Sequence, residues 1–330
     1  MLIYAGIDEA GYGPLIGPLC VACSEWSIEG ANDPLAPPNL WKALSAAVCR
    51  SGTDRRGRIA INDSKKLKGS GASTRAHPMA TIERGVLAAL ALEQDASPLS
   101  TDQELFARVC RSRTSDPSTF APWYAGTIDL PWACDEAQIG IARAMLRRAA
   151  TNASIVGHGV TCESIDAEEI NEAARRGMVK TSVPWTILID HVRLLRSRRD
   201  GVAIRIAADR QSGRMRYLDD LLRAFPDDRI TILAEDERES IYQLDGRSMP
   251  LVISFTVKGE ANHLPIALAS MTAKYVRELW MARLNRWFAQ RVTDLAPTAG
   301  YVKDGRRFVA SVRPALVASG LNEASLVRAI

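Results

Sequence analysis

With 330 residues, 47% of them apolar and 24% charged, the chain has the material for one large core or two modest ones, which excludes a disordered or fibrous protein. A formal net charge of +4 excludes a uniformly cationic surface of the histone kind, although arginine is dense between Arg50 and Arg58, Arg193 and Arg199, and Arg210 and Arg216. Such runs read first as solvated helix faces and loops.

The N-terminus enters the apolar stretch Leu2 to Ile7 without a basic prelude, so no cleavable signal is expected and the expected location is the cytoplasm. The six cysteines (Cys20, Cys23, Cys49, Cys110, Cys134, Cys162) then read as free thiols. Cys20 and Cys23 form a lone CxxC with no second pair and no spaced histidines. It reads as strand core rather than a zinc or redox site. No apolar run is long enough to span a bilayer.

In chain order, Leu2–Ile7 and Leu19–Ser27 read as antiparallel strands around a loop with three glycines and two prolines. Residues 32–39 are a proline-rich loop, and Leu40–Cys49 has helical spacing with Trp41, Leu44 and Val48 on one face. Residues 51–78 read as an exposed loop enclosing Asn62-Asp63-Ser64-Lys65-Lys66-Leu67, in which Asp63-Ser64 can cap a helix. Met79–Leu92 is a helix or a buried strand. Residues 93–133, with Pro98, Pro117, Pro122 and Pro131, read as an irregular stretch whose Trp123, Tyr124 and Trp132 form a local core. Asp135–Ala150 has one apolar helical face.

From residue 154 strands and helices alternate, which argues for an α/β layer architecture. A strand at Ile155–Cys162 precedes helices beginning near Ala167 and over Trp185–Arg198. Strands follow at Val202–Ala208, Ile230–Ala234 and Leu251–Val257, and then a long helix at Leu264–Gln290.

Three strand ends each deliver carboxylates: Asp8 and Glu9, Asp209, and Glu260. In an α/β sheet such ends can converge on one crevice. Two divalent cations about 3.5–4 Å apart need several anionic oxygens to clamp the attacking and leaving oxygens of a phosphodiester. Oxygen-only ligation favours Mg²⁺ or Mn²⁺ over zinc. An isolated acid at a strand end is more often a solvated cap or turn.

Gly6-Ile7-Asp8-Glu9-Ala10-Gly11-x-Gly13-Pro14-x-x-Gly17-Pro18 resembles the opening motif of ribonuclease HII, and Asp63-Ser64-Lys65-Lys66-Leu67 is similar to that family's next signature. The resemblance resumes at Ser164-Ile165-Asp166 with Ile170-Asn171-x-Ala173, and at Asp209. It continues through Lys258-Gly259-Glu260, Ala269-Ser270-x-x-Ala273-Lys274-x-x-Arg277-Glu278 and Gly300-Tyr301 with Lys303. It implies an α/β RNase H-like fold: a mixed five-stranded sheet flanked by helices, an inserted subdomain and a helical C-terminal extension. The implied catalytic domain covers 1–68 and 154–290, the insertion 69–153 has no assigned role, and the extension covers 291–330.

The implied activity is metal-dependent endoribonucleolytic cleavage of the RNA strand of an RNA–DNA hybrid, or of a DNA duplex at an embedded ribonucleotide. It leaves a 5′-phosphate and a 3′-hydroxyl. The resemblance assigns Asp8, Glu9, Asp209 and Glu260 to catalysis and to a two-metal Mg²⁺ or Mn²⁺ site, with Asp8 bridging. It assigns Gly11, Tyr12, Gly13, Lys65, Lys66, Lys274 and Tyr301 to the nucleic acid. No membrane or obligate protein partner is implied, and a monomer is expected. Two departures stand out: Tyr12 where the family loop carries Arg or Lys, and Glu260 where it usually carries Asp. They leave open a catalytically silent hybrid-binding protein or a redirected phosphodiester chemistry.

Overall fold

The structure, a computed structural model, describes residues 1–69, 76–93, 97–110, 121–211, 213–246 and 249–329. Pro117 and residues 70–75 of the polar 51–78 stretch lie outside the described residues.

Strand β1 (Leu2–Ala10) is apolar at consecutive positions because both of its faces are covered, the pattern of a central strand between two helical layers. Its alternate residues feed two apolar clusters. Tyr4 packs with Cys20, Ala22 and Trp26 of β2 (Leu19–Ile28) on one face, and Ile3, Ala5 and Ile7 pack with Val21 and Cys23 on the other. β1 and β2 are antiparallel, as their sequence predicts. β5 (Ile155–Ile165) lies outside β2, while β6 (Ala203–Asp209) and β9 (Leu251–Thr256) run parallel to β1 on its other side.

The mixed sheet flanked by helices is therefore present, and it is wider than the five strands implied. β7 (Arg229–Glu235) and β8 (Glu239–Asp245) form an antiparallel hairpin beyond β9, so among the described residues the order is β5-β2-β1-β6-β9-β8-β7. β8 escaped the sequence reading, although the alternation of its buried Ser240, Tyr242 and Leu244 carries the signal.

The first face is covered by α10 (Leu264–Ala289), whose start lies directly on β1. A Cβ on Gly6 would sit 2.1 Å from the backbone of Pro265 and Ile266, so only glycine permits this approach. Ser24 Oγ donates to Pro265 O at 2.7 Å and fixes the same junction. The second face packs against α7 (Ser182–Arg198). No helix among the described residues is long and apolar enough to cross a membrane.

Two local expectations are corrected. The helix read over Leu40–Cys49 stops after one turn, α1 (Leu40–Ala43), because β3 (Val48–Cys49) pairs in parallel with β4 (Ile59–Ala60). That pairing uses the β-branched Val48, whose side chain suits a strand better than a helix. The polar 51–78 stretch accordingly holds β4 and a one-turn helix, α2 (Ser64–Leu67).

The described part of 69–153 contains α3 (Ala80–Leu90), α4 (Asp102–Val109), a 3-10 turn at Pro122–Tyr124 and α5 (Glu136–Asn152). Its aromatics are core, as the sequence predicts: Trp123 is stacked 5.8 Å from Phe288, and Tyr124 lies 5.1 Å from Trp280, both on α10. The carboxylate of Glu83, fully buried, accepts the backbone N–H groups of Trp132, Ala133 and Cys134 and the Tyr275 hydroxyl. α6 (Ala167–Arg175), α8 (Leu218–Ala224), α9 (Gly259–Asn262), α11 (Val302–Ala318) and α12 (Glu323–Leu326) complete the helices used below.

Candidate active site

β1, β6 and β9 run parallel, so their C-terminal ends open on one edge of the sheet. Asp8 and Glu9 close β1, Asp209 closes β6, and Glu260 sits in α9 just past β9. Neighbouring strands lie about 4.8 Å apart, so sequence positions separated by two hundred residues become neighbours at this edge. Lys258 takes a left-handed backbone (φ 53°) that is costly for a residue with a Cβ. The turn it makes is followed by the Gly259 amide, which donates to Asp209 Oδ1 at 2.8 Å.

The four carboxylates form one electrostatic group. Burial, then the charges of Glu9 and Asp209, hold the Asp8 carboxyl well above the usual carboxylate range, against hydrogen bonds from Ser270 and the Glu9 amide. Glu9 is pushed up to about 7 by burial and then by Asp209, with Lys65 pulling it down. Burial pushes Asp209 up to about 6; the Gly259 amide opposes this, Glu260 adds to it, and Lys65 again pulls down. These acids bind protons more tightly folded than unfolded. Their contribution to stability is present below pH 4 and is lost as pH rises through 6 and 7. In chelator, the thermal midpoint is expected to fall between pH 5 and pH 8, and to fall less steeply in Glu9→Gln. A fall of the same steepness in both proteins contradicts this assignment.

Glu260 Oε2 is buried without a hydrogen-bond partner, close enough to Asp209 that its charge raises the Asp209 carboxyl. Crowded, desolvated carboxylate oxygens with an unsatisfied lone pair suit a hard divalent cation in kind. Among the described residues, no three His, Cys, Asp or Glu side chains lie in an arrangement that could hold a metal ion.

The residues read as nucleic-acid contacts are distributed around this group. Ser64 Oγ lies 3.2 Å from Ser270 Oγ, and Ser270 in turn bonds Asp8, so α2 is docked beside the carboxylates. Asp63 caps that helix by accepting the Lys65 amide at 2.8 Å, leaving Lys65 and Lys66 exposed. Gly11 has φ +89°, and a Cβ there would lie 2.6 Å from Pro18 O, whereas Gly13 stands in open space. Tyr12 is half-buried with Lys180 Nζ 4.9 Å from its ring centroid. Tyr301 is 55% exposed beside this loop, because Gly300 O accepts the amides of Leu15 (2.7 Å) and Ile16 (3.2 Å). Lys274 is largely buried in an ion pair with Glu278 at 2.6 Å, and Lys68 reaches the same carboxylate at 3.0 Å.

Two positioning residues escaped the sequence reading. Buried Arg277 donates to Ile16 O (3.0 Å) and Ala299 O (3.2 Å), while buried Arg328 donates to Gly11 O and Gly17 O. Together they tie the glycine–proline loop to α10 and to the last described turn. Burial lowers Arg328 to about 10, with the Arg277 charge acting in the same direction. Arg277 stands in the Lys274-x-x-Arg277-Glu278 motif but was given no role there; for Arg328 there was no signal. A cleft of about 740 Å³ between β5, α6 and α7 is lined by Glu163, Glu169 and Asp190, and none of the four site carboxylates reaches it.

No family model matches the chain, and no curated protein matches it. Solved structures do. The PCNA:RNase HII complex from Archaeoglobus fulgidus matches at 16% identity and a TM-score of 0.43, covering 99% of this chain and 93% of that one. Ribonuclease H2 from Pyrococcus horikoshii OT3 matches at 14% identity and 0.42, covering 98% and 92%. Bst-RNase HIII in complex with Mn²⁺ matches at 15% identity and 0.42, covering 99% of this chain and 66% of that one. The chain is similar to ribonucleases HII and HIII.

Proposed function

We propose that this chain is a metal-dependent endoribonuclease that cuts the RNA strand of RNA–DNA hybrids, including at a ribonucleotide embedded in DNA, giving a 5′-phosphate and a 3′-hydroxyl. The observation that supports it is the placement of Asp8, Glu9, Asp209 and Glu260 at one sheet edge, where the neighbouring charges raise Asp8, Glu9 and Asp209 and Lys65 pulls Glu9 and Asp209 down. These four carboxylates would hold Mg²⁺ or Mn²⁺. Bound there, the cations would acidify a water and offset the charge that develops on the phosphorus-bound oxygens.

The chain's own residues do the positioning. Lys65 and Lys66 offer point charges to backbone phosphates. Gly11 and Gly13 let the backbone approach the sugar edge, since one is held left-handed and the other has no neighbour within 4 Å. The exposed ring of Tyr301, fixed by Gly300 against the glycine–proline loop, supplies a stacking face. Ser270 and the Glu9 amide orient Asp8, and Gly259 orients Asp209.

The test is a duplex carrying one ribonucleotide, incubated with purified protein and Mg²⁺ or Mn²⁺. A single cut at the ribonucleotide is expected, with no cut in an all-DNA duplex and none in chelator. Binding without cleavage in either metal makes the chain a hybrid-binding protein. Cleavage of the all-DNA duplex at a comparable rate makes it a different nuclease.

A further inference from the structure

We propose that Lys180 is a backbone-phosphate contact of the substrate groove, carried on the face of Tyr12; the inference rests on the hybrid-nuclease reading above. Lys180 lies in the short connection between α6 and α7 and is exposed, and its ammonium sits over the Tyr12 ring. Among the described residues no carboxylate pairs with it. That sets it apart from the arginines on the same side of the molecule. Arg193, Arg196, Arg199, Arg214 and Arg223 are bound to Asp190, Asp228, Glu25 and Asp220.

Position gives the free charge its meaning. Tyr12 stands in the loop that leaves β1, three positions after Glu9, so the ring beneath Lys180 lies next to the end of the strand that carries the carboxylates. Lys65 stands on α2, which the Ser64–Ser270 contact docks against α10. One exposed lysine therefore lies on α2, and the other lies ahead of α7 against the loop after β1. A nucleic-acid strand laid across the carboxylates meets a cation before and after the site. The ring face restrains the ammonium without neutralising it, because a cation over an aromatic ring keeps its outward N–H donors.

The experiment measures affinity of a fluorescent RNA–DNA hybrid in chelator, where nothing is cut, between 50 and 200 mM salt. Each phosphate contact contributes a slope of about 0.9 in log affinity against log salt. Lys180→Ala is expected to flatten the slope by about that amount and to weaken binding several-fold at the lower salt. Tyr12→Phe keeps the ring and the slope, whereas Tyr12→Leu flattens it in part. Lys65→Ala/Lys66→Ala serves as the reference. If that double variant flattens the slope and Lys180→Ala does not, the proposal is overturned while the hybrid reading stands. If folded wild-type protein shows no salt-dependent hybrid binding, both fall together.

Discussion

Asp8→Asn is expected to reduce cleavage of a ribonucleotide-containing duplex by more than about 100-fold while making the metal-free protein more heat-stable at pH 8. The first effect follows from its place: Asp8 is the acid whose neighbours include both Glu9 and Asp209, and loss even of a supporting residue at a metal site typically costs 10- to 100-fold. The second follows from its environment. The folded carboxyl is held well above the usual range, so ionising it at pH 8 opposes folding, and a neutral amide of the same shape removes that opposition. Stability and activity pull in opposite directions at this residue. Cleavage within about tenfold of wild type would place the chemistry elsewhere. Lost cleavage with a lowered melting midpoint in chelator would show that Asp8 is structural.

Arg283→Met is expected to lower the free energy of unfolding by about 3–5 kcal/mol, measured by urea titration, because it strands the Asp102 carboxylate in the interior. Arg283 is 2% exposed and Asp102 fully buried; Arg283 Nε donates to Asp102 Oδ2 at 2.7 Å, and its NH1 donates to Tyr124 O at 2.8 Å. Asp102 also accepts the Ile128 amide at 2.8 Å. One pair thus joins α4, the 3-10 turn and α10. Replacing both partners with apolar residues, Asp102→Leu with Arg283→Met, is expected to recover much of the loss, since the cost lies in the unpaired charge. Equal losses in the single and double variants would mean that geometry, not charge, sets the cost.

The placement of the carboxylates was legible in the sequence because each lies at or just past an apolar run that reads as a strand, and the one-turn helix carrying Lys65 and Lys66 because Asp63-Ser64 can cap a helix. The partnerships were not. Nothing in the local sequence tells that Lys68 reaches the Glu278 that Lys274 faces one helical turn away, or that Glu83 takes up three backbone amides some fifty residues away. Those bonds are fixed by tertiary placement, to which periodicity is blind. The short β3 and β4 were missed for the same reason: two-residue strands exist only by virtue of each other. The wider sheet was missed because the resemblance implied five strands and β8 was not read as a strand, although β7 was.

The clamp made by Arg328 bears on the order in which the protein is made. Its guanidinium holds Gly11 and Gly17, and Val327 bridges Ile16, so the loop next to Glu9 is pinned by residues about 310 positions later in the chain. At a synthesis rate of about 5–20 residues per second, roughly 15–60 s separate the emergence of the two. During that interval β1 can already pair with β2, but the loop beside its carboxylates lacks the Arg328 clamp on Gly11 and Gly17. The loop beside the carboxylates is therefore completed after the bulk of the fold, and the acidic sheet edge stays unfinished until the last residues of this sequence are in place.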